Sequence, residues 1–166
     1  MTDPSDLRSS AEAISVEIGL DLSYFTDESE RNFLPLAVPI GYLLLHWFIE
    51  GLVTGAGEAA GEKAVKRLGT RVGKLFGRRD TTPEQDTAVE KELAAGTQAA
   101  LAKARQVLAA NSADEATLTA EAYERALIGY LTGNGMPVLD AVRIAQRVRA
   151  EAGIQLRRSP EANPRP

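Results

Sequence analysis

The chain has 166 residues and no cysteine, which allows a single domain with tails and excludes disulfides, thiolate catalysis and cysteine-based metal sites. Its net charge of −4 hides two blocks of opposite sign, since residues 1–32 carry eight acids and two bases whereas residues 63–79 carry seven bases and no acid. A chain that is acidic overall lacks the positive surface that nucleic-acid phosphates require, so we expect no nucleic acid among its partners.

The acidic N-terminal segment, residues 1–32, contains an alternation of apolar residues with polar or small ones over 14–22. The apolar members of this alternation are Ile14, Val16, Ile18, Leu20 and Leu22. A period of two predicts a half-buried β-strand. No second strand of similar quality follows, and a lone strand leaves its backbone unpaired. This strand would therefore pair with another copy of the chain or extend a partner's sheet.

An apolar run over residues 33–49 comes next, with seventeen residues and no formal charge. Pro35 and Pro39 suit the first turn of a helix, which predicts a helix start near Pro39. A membrane-spanning helix needs about 20 apolar residues. Extending the run to residue 57 supplies that length but includes Glu50, so both a spanning helix and a buried core helix are consistent with it. The residues that we expect to contact a membrane are Leu43, Leu44, Leu45, Trp47, Phe48 and Ile49.

A polar stripe crosses this apolar segment at every fourth residue. Its members are Tyr42, His46, Glu50, Thr54 and Glu58. Residues four apart share one face of a helix, so the stripe faces water, a bundle interior or a pore. His46 and Glu50 carry its ionisable groups, but His46 is the only histidine and the pair lacks a full ligand set. We therefore expect no metal and no cofactor.

Glycines recur at four-residue spacing through residues 51–77. Each glycine inside a helix costs about 1 kcal/mol relative to alanine, so seven of them need a compensating gain. Close backbone approach between helices supplies one. The pattern resembles the glycine zippers of some pore-forming and membrane-tethering proteins, although glycines also form flexible loops. The predicted helix-packing positions are Gly51, Gly55, Gly57, Gly61, Gly69, Gly73 and Gly77.

Residues 63–79 form a basic amphipathic helix that completes the segment 33–79. One sector is apolar and the opposite one is wholly cationic, which favours an anionic membrane surface. If 33–57 spans a bilayer, the basic flank and the C-terminal region stay cytoplasmic. The predicted basic surface consists of Lys63, Lys66, Arg67, Arg71, Lys74 and Arg78.

Residues 83–153 are predicted to form three helices. Thr82 followed by Pro83 is an N-cap with proline at the first helical position. The Gly-Asn-Gly sequence at 133–135 ends the second of these helices, and Pro137 opens the third. Residues 154–166 are rich in proline and are predicted to be a disordered tail.

The sequence therefore predicts a mainly α protein, a helical bundle with one long glycine-rich apolar and amphipathic helix and a single N-terminal strand. No Walker loop, nucleophile elbow or dinucleotide fingerprint is present, so we expect no enzymatic activity. The favoured function is a membrane-associated protein that self-assembles into homo-oligomers through its glycine-rich apolar helix, either as a pore-forming or membrane-disrupting effector or as a membrane-tethered adaptor. Its expected partners are anionic lipid and a protein partner for the C-terminal helices. The alternative is a cytoplasmic soluble oligomer or adaptor in which 33–57 is a buried core helix.

Overall fold

The computed structural model describes residues 4–18, 34–54, 62–76, 83–110 and 113–157. Within these residues the chain forms helices and no strand, which confirms the mainly α prediction. The helices are α1 (Pro4–Ile18), α2 (Leu34–Thr54), α3 (Glu62–Phe76), α4 (Pro83–Ala110), α5 (Ala113–Gly133) and α6 (Val138–Arg157). They pack into a bundle around one apolar core.

Helix α2 is the centre of the bundle and contacts each of the other five helices. Its sequence is apolar around most of its circumference, and such a helix is stable in a protein only when it is covered on most sides. Every side chain from Ile40 to Leu45 is buried. The helix starts at Leu34, earlier than the start predicted near Pro39.

The prediction of one long helix through residues 39–77 is wrong, because α2 ends at Thr54 and α3 starts at Glu62. The indole nitrogen of Trp47 donates a hydrogen bond to the carbonyl of Ala64 over 2.9 Å. These residues are 17 positions apart, which in one continuous helix would separate them by about 25 Å. Helices α2 and α3 therefore lie side by side and are not parts of one straight helix; Gly57 and Gly61 lie outside the described residues.

The predicted strand is also wrong over its described part, because residues 14–18 belong to α1; residues 19–22 lie outside the described residues. Two of the alternating residues, Ile14 and Ile18, also belong to a second pattern with the spacing of a helix. Spacings of four, three and four residues place one apolar stripe on a single helix face, and Pro4 provides a suitable first position. The stripe consists of Leu7, Ala11, Ile14 and Ile18, all buried. Val16, which fits only the strand pattern, is left 79% exposed.

Polar contacts hold α1 antiparallel to α6, a pairing that the sequence analysis missed. The hydroxyl of Ser10 donates to the buried carboxylate of Glu151 at 2.8 Å, and the Gln155 amide donates to Ser10 at 2.8 Å. Near the other end of the pair, Arg143 donates to Glu17 at 2.6 Å. Because buried polar groups need such partners, this network fixes the register of α1 on α6.

The three predicted C-terminal helices are present as α4, α5 and α6. Helix α5 ends at the predicted Gly-Asn-Gly sequence, where Gly135 adopts a φ of 99° and the amide of Met136 donates to the carbonyl of Leu131 at 3.1 Å. Only glycine adopts such a φ without strain. The predicted disordered tail begins too early, because α6 continues to Arg157; residues 158–166 lie outside the described part of the chain.

Candidate functional site

The six residues predicted to contact a membrane lie in the protein core. Their exposed fractions do not exceed 3%, and they pack against the surrounding helices. In this fold they are covered by protein, so contact with lipid would require the bundle to open. Among the described residues, no helix combines the length and the apolarity needed to cross a bilayer. The set comprises Leu43, Leu44, Leu45, Trp47, Phe48 and Ile49.

The predicted packing glycines have different surroundings. At Gly51 an added methyl group would lie 2.5 Å from the ring of Tyr123, so this glycine lets α5 approach α2 closely. At Gly69 the nearest atom is 3.9 Å away, on Tyr130, which is ordinary contact. Gly73 lies within α3, and the remaining predicted positions, Gly55, Gly57, Gly61 and Gly77, lie outside the described residues. Among the glycines whose surroundings are described, the tightest contact is at Gly41, which was not predicted.

The polar stripe and the basic helix meet between α2 and α3. Arg71 donates from Nη2 to Oε1 of Glu50 at 2.6 Å, and Nε of Arg67 lies 3.7 Å from the same oxygen. Nε2 of His46 lies 3.7 Å from the other carboxylate oxygen. At Glu50 the polar stripe therefore faces α3 and not open water, because the Glu50 carboxylate pairs with two arginines of that helix. We call these four residues the His46–Arg71 cluster.

The rest of the predicted basic surface points outward. Lys63, Lys66 and Lys74 are exposed on α3, opposite the buried Ala64 and Leu68. Arg78 lies outside the described residues. The cationic face is therefore divided, with arginines directed at Glu50 and lysines directed at the surroundings.

A small cavity of about 210 Å³ lies between α2 and α4, beside the His46–Arg71 cluster. His46, Glu50 and Lys103 line it, together with small residues of α4. Gly96 makes room for the imidazole, because a methyl group there would lie 3.3 Å from Cε1 of His46. Burial and the neighbouring Arg71 charge lower the pKa of His46 from its ordinary value of 6.5, and Glu50 opposes this shift only partly.

Acidification should destabilise the protein through His46. The unfolded chain takes up a proton near pH 6.5 whereas the folded imidazole resists it, so the unfolded state binds more protons between the two pKa values. Stability should therefore fall as the pH drops through 6.5 and level off below the folded pKa. We expect urea unfolding curves between about pH 8 and pH 5 to show this fall. The His46→Gln variant should lack this component, and an equal fall in both proteins would contradict the assignment.

A larger groove of about 710 Å³ opens where the end of α4, the start of α5 and the end of α6 meet. Its base is apolar and includes Phe48 and Leu52 of α2 and Leu108 of α4. Small residues line its two walls, among them Ala120 on α5 and Gly153 on α6. The groove is therefore a recess over the central helix, bounded by two antiparallel helices.

Charged groups lie at the rim of this groove. Arg149 donates to Glu124 across the two walls at 2.9 Å, so these two groups satisfy each other. The guanidinium of Arg157 lies over the α6 wall, with Nη1 3.4 Å from the point that a Gly153 methyl group would occupy. Arg157 is exposed, and no carboxylate pairs with it among the described residues. Within the described part of the chain, Arg157 is therefore a positive charge at the rim without a carboxylate partner.

No sequence pattern predicted this groove. The sequence pattern that could have indicated the groove is the small residues at helical spacing in α5 and α6. Such residues are equally typical of helices that pack against each other in an ordinary bundle. Where the chain is described, no cluster of three or more imidazole or carboxylate groups is arranged to hold a metal ion. The side chains that line the two recesses can make apolar contacts, ion pairs and hydrogen bonds.

Comparison with known proteins adds no relative to this description. No family model, no curated protein and no solved structure matches the chain.

Proposed function

We propose that this protein is a non-enzymatic adaptor whose groove between α4, α5 and α6 binds an amphipathic helix of a partner protein. The observation that carries the proposal is the groove itself, a recess of about 710 Å³ lined mainly by apolar and small side chains of α2, α4, α5 and α6. An open apolar recess of this size on a folded protein marks a binding site.

The lining of the groove favours a helix over a small molecule. Small side chains on both walls permit close approach of a third helix. The Glu124–Arg149 pair leaves few free polar groups to orient a small molecule. The unneutralised Arg157 would pair with an acidic residue of the partner helix.

This function can be tested with a displayed library of amphipathic helical peptides that carry an acidic residue at one end. Selected peptides should shift the amide resonances of residues 116–124 and 146–157 of the full chain. Replacing Ala120 with tryptophan should weaken their binding about tenfold or more, because the indole fills the recess. The matched control is Ala95→Trp, at an exposed alanine of α4. Peptides that bind Ala120→Trp and the native chain equally, or that shift other residues, would exclude the groove as the binding site.

A second candidate function is association with an anionic membrane, which the exposed lysines of α3 favour. In this fold α3 buries Ala64, Leu68 and Val72, so it offers lysines but not these three apolar residues. Such binding would be electrostatic, at about 1 kcal/mol per lysine near the surface. Insertion and pore formation would additionally require α2 to leave the core. Homo-oligomer formation stays a prediction.

Electrostatic membrane binding predicts a strong dependence on charge and salt. The full chain should float with vesicles that contain phosphatidylserine and not with pure phosphatidylcholine, and salt should release it because exposed charges are screened beyond about 10 Å at 0.1 M. Replacing Lys63, Lys66 and Lys74 together with glutamine should abolish flotation. Replacing Lys91 and Lys103 of α4, which are also exposed, should have little effect. Equal binding to both vesicle types would count against this function.

A further inference from the structure

The His46–Arg71 cluster has more positive charge than its own carboxylate neutralises. Arg67 and Arg71 are one turn apart on α3 and both approach Oε1 of Glu50. A guanidinium stays protonated in proteins, so this pair cannot lose its charge as a lysine can. With the neighbouring imidazole neutral, two cations and one anion leave a net charge of +1 between α2 and α3.

The same two arginines leave hydrogen-bond donors unused. Nε and Nη2 of Arg67 and Nη1 of Arg71 are shielded from solvent and have no hydrogen-bond acceptor among the described residues. A buried donor without a partner is costly, and a charged donor is more so, which is why such atoms in a native protein call for a bound water or ion. The side chains that carry these three nitrogens remain 35% and 28% exposed, so a rotation of either guanidinium would bring the donors to the surface, where a ligand could bind them.

We propose that Arg67 and Arg71 form a binding site for a phosphate-monoester group. The three terminal oxygens of such a group match the three unused donors, and the planar guanidinium is suited to phosphate through paired hydrogen bonds. Glu50 pairs with both arginines, and its negative charge lowers the net charge of the cluster from +2 to +1. The site is separate from the groove between α4, α5 and α6.

The site can be tested on the full chain with inorganic phosphate as the probe. Phosphate should raise the melting temperature saturably above that in chloride at equal ionic strength, because it binds the folded state. Arg67→Gln and Arg71→Gln should each bind phosphate about tenfold more weakly. Lys74→Gln removes the same charge from an exposed position of α3 and should bind as the native chain does. Arg67→Lys keeps the charge without the planar fork and should also bind more weakly, even if the glutamine variants fold poorly.

Vesicles distinguish a lipid from a soluble source of the phosphate group. Phosphatidic acid presents a monoester, whereas phosphatidylserine presents a diester of equal or lower charge. Binding to phosphatidic acid vesicles that depends on Arg67 would assign the site to a lipid headgroup. Binding of inorganic phosphate without such vesicle binding would assign it to a soluble phosphate ester. A phosphate effect no larger than that of chloride, or an equal loss in Lys74→Gln and Arg67→Gln, would overturn the proposal.

Discussion

Replacing Trp47 with alanine is expected to lower the free energy of unfolding by about 3–5 kcal/mol, the usual cost of truncating a large buried aromatic residue. Trp47 is fully buried, its ring meets that of Tyr123 edge to face with centroids 5.3 Å apart, and its indole donates to the carbonyl of Ala64. One residue thus joins α2 to α3 and α5. Because small domains are stable by only about 5–15 kcal/mol, this single change would remove a large share of the total.

Denaturant unfolding followed by far-ultraviolet circular dichroism measures this loss. Trp47→Phe should cost less, because it keeps a buried ring and loses mainly the hydrogen bond, leaving the Ala64 carbonyl without its donor. Leu139→Ala is the control, since Leu139 is 82% exposed and its truncation should change stability by no more than about 0.5 kcal/mol. If Trp47→Ala were as mild as Leu139→Ala, Trp47 would not be in the core.

Replacing Gly41 with leucine should lower the free energy of unfolding by about 3 kcal/mol, the upper end of the usual cost of overpacking. A side chain at Gly41 would overlap the backbone carbonyl of Ala11, with even the carbonyl carbon at 2.9 Å from the added Cβ. A backbone atom cannot move aside as a flexible side chain can, so α1 must separate from α2. Amide hydrogen exchange should therefore accelerate in α1 more than in α4–α6.

A matched leucine substitution is available at Gly129, which lies in α5 with no atom within 4 Å of an added Cβ. There leucine should raise stability by up to about 0.8 kcal/mol, because glycine is a poor helix former and nothing is displaced. Opposite signs for the two substitutions would show that close approach of α1, and not helix propensity, explains Gly41. Equal effects would contradict the α1–α2 contact described here.

The Gly41→Leu variant also tests the membrane hypothesis. Insertion of α2 requires its covering helices to separate, and α1 is held at one side by the Gly41 contact and by polar pairs such as Ser10–Glu151. A Gly41→Leu variant that binds vesicles better than the native chain would indicate that release of α1 exposes a lipid-binding surface. A variant that loses stability without gaining vesicle binding would favour the adaptor.

Several structural features followed from the sequence because their causes are local. Pro83 and Pro137 suit helix starts, and Gly135 accepts a positive φ, so the limits of α4, α5 and α6 depend on residues within one turn. The apolar run likewise determined that its helix must be covered on most sides. The absence of cysteine excluded disulfides and thiolate catalysis, and a single histidine argued against a histidine-based metal site; neither inference needed the fold.

The tertiary structure decided what covers that helix and where the charged groups point. Residues 14–18 carry both a strand period and part of a helical stripe, and packing on α2 and α6 selected the helix. The sequence pattern placed Arg67 and Arg71 on a uniformly cationic outer face of the helix. In the structure both side chains pair with Glu50 of α2, which is distant in sequence. The groove likewise exists only where three helices diverge. Sequence patterns record the preferences of neighbouring residues, whereas burial, ion pairs and recesses depend on residues that only folding brings together.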